Sequence, residues 1–380
     1  MTPVHPALAG GPSYLDYNAT TPVDPRVTEL LWPYLTNHFG NPSSAHHFSG
    51  AAADGLRRSR EQVAALIGAN PDGVVFTGSG SEANNLALRG AVLAARTDRP
   101  HLITQATEHP AVLATCRALQ RQHGVEVTCL AVDGQGLVDP DDLAAAITTR
   151  TVLVSIMLAN NETGTIQPVA ELVRVARDHG VAFHTDAAQA AGKIPVDVTG
   201  LGVDLLTVVG HKMYAPKGIA ALWVRPGLDL EPVIYGGGQE RGLRAGTENV
   251  AFAVALGAAA DLARADLAAG EPDRVRGLRD RLHHGLAERL PDRVLLNGHP
   301  TKRLPNTANL ALLPHRGDDI LSAASGVAAS TGSACHTGET EPSPVLTAMA
   351  LPAERARSAV RLSLGRWSTL DDVELATAAL

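Results

Sequence analysis

Lysine is almost missing from this 380-residue chain: Lys193, Lys212, Lys217 and Lys302 are all there is, and arginine carries the rest of the positive charge. Cysteine is scarcer still, with Cys116, Cys129 and Cys335 alone. Three thiols in so long a chain do not make a disulfide framework, and a reducing cytoplasm is the expected compartment. Apolar runs approaching the roughly 20 residues that span a bilayer are absent, so no membrane association is expected. Met1 to Gly11 lacks a basic region followed by an apolar core and does not read as a signal peptide. The net charge is −7, which gives no electrostatic case for a nucleic-acid partner. What is present is apolar material, 45% of residues, enough for one large domain and a smaller one.

The most informative lysine is Lys212. It follows the apolar run Val203-Asp204-Leu205-Leu206-Thr207-Val208-Val209, sits in a Gly210-His211-Lys212 turn and precedes a loop with Pro216 and Gly218. An amine at the end of a buried strand is costly unless it is used. Desolvation lowers its pKa, and the neutral amine is the nucleophile that forms a Schiff base with an aldehyde cofactor. A surface lysine in a loop is the plain alternative, and the rest of the chain decides against it.

Several other polar residues also fall where strands end. Gly73 to Thr77 reads as a strand, followed by Gly78-Ser79-Gly80-Ser81-Glu82-Ala83, a glycine-rich turn opening a helix. Backbone N–H groups at such a start bind anions, and Ser81 adds a hydroxyl. The stretch also fits the dinucleotide fingerprint, but no acidic residue follows at a strand end about 20 residues on, as that fingerprint requires. His109 follows the strand His101 to Thr104 and precedes a helix, where a capping role competes with a catalytic one. Thr151 to Met157 is a near-continuous apolar run, as in a buried parallel strand, and ends in Asn160-Asn161-Glu162. Val181 to Gln189 gives a strand ending in Asp186. A right-handed doubly wound sheet brings Gly80, Ser81, His109, Asn161, Asp186 and Lys212 to one edge.

The remaining candidates are scattered. His46-His47 has no metal-ligand neighbours at suitable spacing and reads as a solvated loop. The loop Tyr235 to Asn249 carries five glycines with Arg241, Arg244 and Thr247, and suits phosphate contact or a subunit boundary. The alanine-rich helix from Ala251 to Ala269 reads as a bridge to a second, α+β region. Cys116 and Cys129 look like core cysteines. Cys335 lies among small polar residues beside His336, an exposed loop thiol whose thiolate is the reactive form. Arg361 stands in the apolar strand Ala359 to Gly365 and wants a carboxylate.

Taken together, Tyr14-Leu15-Asp16-Tyr17-Asn18-Ala19-Thr20-Thr21-Pro22, the strand-end residues, the Cys335 loop and Arg361-Leu362-Ser363-Leu364-Gly365-Arg366 resemble the class V aminotransferase family of pyridoxal-phosphate enzymes. Within it the chain looks like the cysteine desulfurase and selenocysteine lyase branch. The resemblance implies an α/β fold of the fold-type-I kind, a mostly parallel doubly wound sheet in a large domain (14–255) and a smaller α+β domain (1–13 with 256–380) carrying the Cys335 loop. It implies a homodimer with active sites at the subunit interface. Carried over residue by residue, Lys212 would hold pyridoxal 5'-phosphate and move the substrate Cα proton. His109 would stack on the cofactor ring and serve in acid–base steps. Asp186 would pair with the ring nitrogen, and Gln189 and Asn161 would contact the ring hydroxyl side and the substrate. Gly80, Ser81 and His211 would bind the phosphate, with Thr247 reaching in from the partner subunit. Arg361 would clamp the substrate carboxylate, and Cys335 would take the sulfur from L-cysteine as a persulfide for an acceptor protein.

Selenocysteine lyase, acting on L-selenocysteine with the same residues, is the nearest rival. A transaminase with an idle Cys335 is a further one, and a dinucleotide-binding oxidoreductase the rival from another class. Two departures from the family stand out. Many desulfurases carry a serine where this chain has Val209, at a cost of roughly 1.5–3 kcal/mol in phosphate binding. The chain also stops at Leu380, without the longer tail through which housekeeping desulfurases engage a scaffold protein, so the resemblance carries over no such partner.

Overall fold

A computed structural model describes residues 5–331 and 342–380. The first strand, β1 (Ser13–Tyr14), belongs to the smaller part of the molecule. The large sheet is built from β2 (Val74–Thr77), β3 (His101–Gln105), β4 (Glu126–Leu130), β5 (Thr151–Ser155), β6 (Ala182–Asp186), β7 (Leu205–Val209) and β8 (Ala220–Val224). Their spatial order is β2-β8-β7-β6-β5-β3-β4. Strands β3 to β7 pair in parallel. Only β8 runs the other way, antiparallel to both β2 and β7. Two reversals restore direction, so β2 points the same way as β3 to β7. The carboxyl ends of β2, β3, β5, β6 and β7 therefore share one edge, as the alternating pattern predicts.

These strands form where the sequence is apolar throughout because helices cover both faces. Every residue of β7 and β8 is buried. On one face pack the helices Gly50–Leu66, Val169–Asp178 and Val250–Ala268, on the other Gly80–Ala94 and Pro110–His123. Strand β4 lies at the sheet margin, where only its last residue is buried. This corrects the expectation for Cys129: it is exposed, whereas Cys116, on the helix Pro110–His123, is buried. A strand at the margin has a neighbour on one side only, and no local signal in Val125 to Leu130 marks it as marginal.

The alanines of Val250–Ala268 have a packing reason. Ala253, Ala255, Ala259, Ala260 and Ala263 are buried, and a Cβ on Gly257 would stand 2.7 Å from the Cα of Ser59. Small side chains let this helix lie directly against Gly50–Leu66.

A separate apolar cluster holds the smaller part together. Strands β9 (Val294–Asn297), β10 (Thr307–Leu312) and β12 (Ala359–Ser363) form an antiparallel sheet with β10 in the centre, and β11 (Val327–Ala328) pairs with β1. Leu15, Val275, Leu282, Leu310, Leu362 and Val373 pack there together. Thus the segment just after β1 is clamped to a sheet formed some 300 residues later: Asp16 bridges Ser363.

The two parts are joined through Asp24 and Arg366. Asp24 caps the helix Pro25–Thr36 by accepting from the Arg26 N–H, and its carboxylate also receives the Arg366 guanidinium. Arg366 lies over the Tyr214 ring, 4.1 Å from its centroid. Both side chains of the ion pair are almost wholly enclosed, at 1% and 4% exposure. Arg366 also donates to Asp266 and so keeps a counter-ion, and Asp24→Ala should lower stability by about 1–3 kcal/mol through loss of a charge-assisted bond and a helix cap. Denaturant unfolding followed by tryptophan fluorescence measures this directly.

Candidate active site

The Lys212 turn is built tightly. Residues Gly210–Lys212 form one 3-10 turn after β7. The Thr21 N–H and hydroxyl both donate to the His211 carbonyl. The Tyr214 N–H donates to the Thr21 hydroxyl at 2.9 Å, which holds Tyr214 in the left-handed region at φ 71°. A non-glycine residue adopts that conformation only where its surroundings impose it. The Lys212 Nζ is thereby delivered to the carbonyls of Asn18 and Ala19, at 2.7 Å each. Burial and then the Arg361 charge lower its pKa from 10.5 to about 8, against the opposing pull of Asp186 and Asp16. At pH 7 about a tenth of such amines are neutral, against well under a thousandth at the ordinary value.

Asp186 ends β6 and is 6% exposed. One oxygen accepts from the Ala188 N–H at 2.9 Å, the other from Asn84 Nδ2 at 2.7 Å. Three residues on, Gln189 donates to the Asn18 carbonyl at 2.9 Å and accepts from Lys193 Nζ at 2.5 Å. Burial first, then Lys212 and Arg361, push the Lys193 amine well below its ordinary range. His109 follows β3 and caps the helix Pro110–His123, its Nδ1 accepting from the Ala111 N–H at 3.1 Å. The capping reading is thus realised, and it occupies Nδ1 rather than Nε2. Burial first, and then Lys212, lower the His109 pKa against Asp186, which keeps the ring neutral near pH 7.

After β5, the Asn161 carbonyl accepts from Asn18 Nδ2 at 3.1 Å and from Arg361 Nη1 at 3.3 Å. Its neighbour Asn160 folds the turn, its Oδ1 accepting from the Glu162 and Thr163 N–H groups at 2.9 Å. Arg361 comes from β12 on the smaller part. Its Nη2 donates to Asp16 at 2.7 Å, and its buried Nε–H has no acceptor among the described residues.

The helix Gly80–Ala94 begins at the end of β2, capped by the Ser79 hydroxyl, which accepts from the Glu82 N–H. Its first N–H groups have no partner within the helix, and Ser81 is exposed beside them. A Cβ on Gly80 would stand 2.5 Å from Val209 Cγ2, so glycine is required for this helix start to meet β7. His211, from the same turn as Lys212, hydrogen-bonds Thr20 Oγ1 at 3.1 Å, and its pKa falls to about 4, through burial first and then Lys212.

Lys212, Asp186, Gln189, Asn161, His109 and Arg361 are thus brought together by hydrogen bonds or mutual charge. Gly80 meets Val209 two residues before His211. Thr247 makes no comparable contact: it is exposed on a loop held by Glu240, which receives both Arg60 guanidinium nitrogens at 2.7 Å and the Phe76 N–H at 2.9 Å. The same loop is tied to the helix start through Arg244 and Glu82 at 2.8 Å. Cys335 lies outside the described residues.

Sequence reasoning missed four participants: Asp16, Asn18, Asn84 and Lys193. Asn18 is the hub, donating to Thr307 Oγ1 at 2.8 Å and accepting on its side chain from Lys193 and Asn306 at 3.1 and 3.0 Å. An asparagine in a polar turn carries no mark of this. Asn84 had a usable signal, an amide one turn into a helix on the face that Ala83, Ala87 and Leu88 bury.

A nucleophilic amine of lowered pKa, a buried carboxylate and a glycine-cradled helix start thus share one edge of the parallel sheet. The chain belongs to the class-V aminotransferase family, whose sequence pattern matches residues 13–375. It is 48% identical to the cysteine desulfurase of Trichormus azollae over 94% of this chain and 88% of that protein. Among solved structures, a NifS-like protein superposes with a TM-score of 0.90 at 34% identity, covering 97% of both chains. The structure of SspA in complex with cysteine follows at 0.79 and 35% identity, over 92% of this chain and 98% of that one.

Proposed function

We propose that the chain is a pyridoxal-phosphate-dependent cysteine desulfurase that converts L-cysteine to L-alanine and passes the sulfur, through Cys335, to an acceptor protein. The observation that carries the reading is the Lys212 amine, held near pKa 8 beside Asp186 and within the field of Arg361. The residues present fit the cofactor. Lys212 supplies the amine for its aldehyde, Asp186 a carboxylate for its ring nitrogen, and His109 a neutral ring to lie on its face. Gln189 and Asn161 offer amides for its hydroxyl side. Gly80, Ser81 and His211 offer a phosphate cradle, and Thr247 of a second subunit would complete it. When bound, pyridoxal phosphate supplies an electron sink for a carbanion at the substrate Cα.

The chain's own residues do the rest. Arg361, with one N–H unpaired, orients the substrate carboxylate. The Lys212 amine, part neutral at pH 7, takes the Cα proton and returns it. The Cys335 thiolate bonds to the substrate sulfur as that sulfur's bond to carbon breaks. The electron pair stays with carbon, which takes up a proton, and alanine leaves while the persulfide remains on Cys335. We further propose the division into a large domain (14–255) and a smaller one (1–13 with 256–380), a homodimer, and work in the cytoplasm. Separate apolar clusters at the large and the smaller sheet support a two-part chain, with Leu15 packed in the smaller one and Leu256 to Ala263 in the larger, and the free thiols Cys116 and Cys129 support a reducing compartment. No helix among the described residues is long and apolar enough to cross a membrane.

The test is product analysis with the reconstituted chain. Alanine from L-cysteine with matching persulfide is the expected result. Alanine from L-selenocysteine alone makes it a selenocysteine lyase, and amino transfer to a keto acid without alanine removes the desulfurase reading.

Gly80→Ala tests the phosphate cradle. The added methyl meets Val209 Cγ2, and the helix start must shift. We expect the dissociation constant for pyridoxal phosphate to rise about tenfold or more, the loss of one good anion contact, with partial recovery in the Gly80→Ala/Val209→Ala double variant. Fluorescence titration of the cofactor-free chain measures both.

A further inference from the structure

Arg361 already holds a carboxylate. Its Nη2 donates to Asp16 Oδ1 at 2.7 Å and its Nη1 to the Asn161 carbonyl at 3.3 Å, while Nε–H has no acceptor among the described residues. The guanidinium is 6% exposed and the Asp16 side chain 21%. The backbone of Asp16 is fixed. The Tyr17 N–H donates to the Ser363 carbonyl, the Ala19 N–H to the Asp16 carbonyl, and the Tyr14 hydroxyl to that same carbonyl at 3.2 Å. The Asp16 carboxylate can turn about its own side-chain bonds, but with its Cα held it stays within a few ångströms of the arginine when another anion arrives, and the same short segment supplies the carbonyls of Asn18 and Ala19 to Lys212.

A buried arginine needs a counter-ion in the empty site, and one mobile enough to leave would hand the whole guanidinium to the substrate. A fixed one does something different. The incoming carboxylate must share the guanidinium with a negative charge a few ångströms away, in surroundings of reduced dielectric where such repulsion is strong. We propose that Asp16 is a positioning residue that weakens the Arg361 clamp by design of the fold, limiting how tightly the site holds any α-carboxylate and so letting the product alanine leave. The inference rests on the proposed function, in which Arg361 takes the carboxylates of both substrate and product. Its chemistry is general: substrate and product carry the same carboxylate, so a clamp without an opposing charge retains both.

The test compares Asp16→Asn with the wild-type chain loaded with pyridoxal phosphate. The amide keeps the shape and still accepts from Nη2, but carries no charge. Calorimetric titration with 3-hydroxypropionate reads the clamp alone, because this carboxylate has no amine to react with an aldehyde. The inference expects its dissociation constant to fall tenfold or more in Asp16→Asn. The alanine inhibition constant should fall by a similar factor, KM for L-cysteine should fall, and kcat should fall as product release slows. Asp16→Glu, which restores the charge, should return all four toward wild type. Unchanged or weaker binding in Asp16→Asn overturns the inference and leaves Asp16 a structural counter-ion. Arg361→Lys is the control. If it binds 3-hydroxypropionate as tightly as wild type, the clamp itself is misassigned and the substrate contact in the proposed function fails with it. If it loses tenfold or more while Asp16→Asn gains nothing, only the role of Asp16 falls. Thermal melts of each variant show whether the fold is kept, and a change in melting alone, without the KM and kcat split, also overturns the inference.

Discussion

Lys212→Ala is expected to lose at least about 10⁴-fold in kcat for alanine release, because the same side chain both anchors the cofactor and moves the Cα proton, and positioned proton transfer alone contributes up to that factor. The fold should survive. Among the described residues the Lys212 amine bonds only two backbone carbonyls, and its turn is fixed by Thr21 and the Gly210 carbonyl instead. Borohydride treatment followed by peptide mass analysis gives the independent check: the cofactor mass should sit on the peptide containing Lys212 in the wild type and on no lysine peptide in the variant. With four lysines in the chain, the assignment is unambiguous. Residual turnover above a hundredth of wild type would take Lys212 out of the reaction. The pH dependence follows from the same amine. Its pKa is lowered, so the neutral fraction grows as pH rises and levels off above about 8. The rate at which the cofactor-free chain captures pyridoxal phosphate should climb between pH 6.5 and pH 8 and flatten beyond, roughly tenfold per unit at the lower end. An ordinary lysine would still be climbing at pH 10.

Cys335→Ala carries the second large effect. Removing a covalent nucleophile costs orders of magnitude, and here the loss in alanine release from L-cysteine should be on the order of 10³-fold or more. Capture of the cofactor by Lys212 should be unchanged. The pairing of the two outcomes matters, since a variant that fails both has lost its fold, while one that keeps the cofactor and loses turnover has lost the sulfur acceptor. Turnover of L-selenocysteine retained by Cys335→Ala alongside loss on L-cysteine would show that selenium leaves without the thiol. Full activity on L-cysteine would make Cys335 incidental and remove it from the sulfur-accepting step.

Most of the strand-end placements were legible in the sequence because they are local. A run such as Leu205 to Val209 can only be a strand covered on both faces, and a lysine three residues beyond it can only stand at the strand's end. The same argument holds for Asp186 after Ala182 to Thr185, and for the Gly80 helix start after Val74 to Thr77. Periodicity and punctuation encode burial and element ends, and the direction rule for parallel sheets then gathers those ends. Cys129 shows where this fails: an apolar-looking stretch tells that a strand exists but not whether it lies in the middle of the sheet or at its margin.

By itself, then, the sequence determined which residues stand at strand ends and which chemistry their types allow. The tertiary structure alone decided what each of them touches. Asp16 and Arg361 are 345 positions apart, Asn84 and Asp186 are 102 apart, and Lys212 meets Asn18 across 194. Nothing in local pattern encodes such distances. They depend on the order β2-β8-β7-β6, on the antiparallel β8 placed between the anion cradle and the lysine strand, and on the clamping of residues 13–16 to β11 and β12. The physical reason is that the tendency to be buried is written in the periodicity of one segment, whereas a hydrogen bond or ion pair belongs to two residues and to the packing that aligns them.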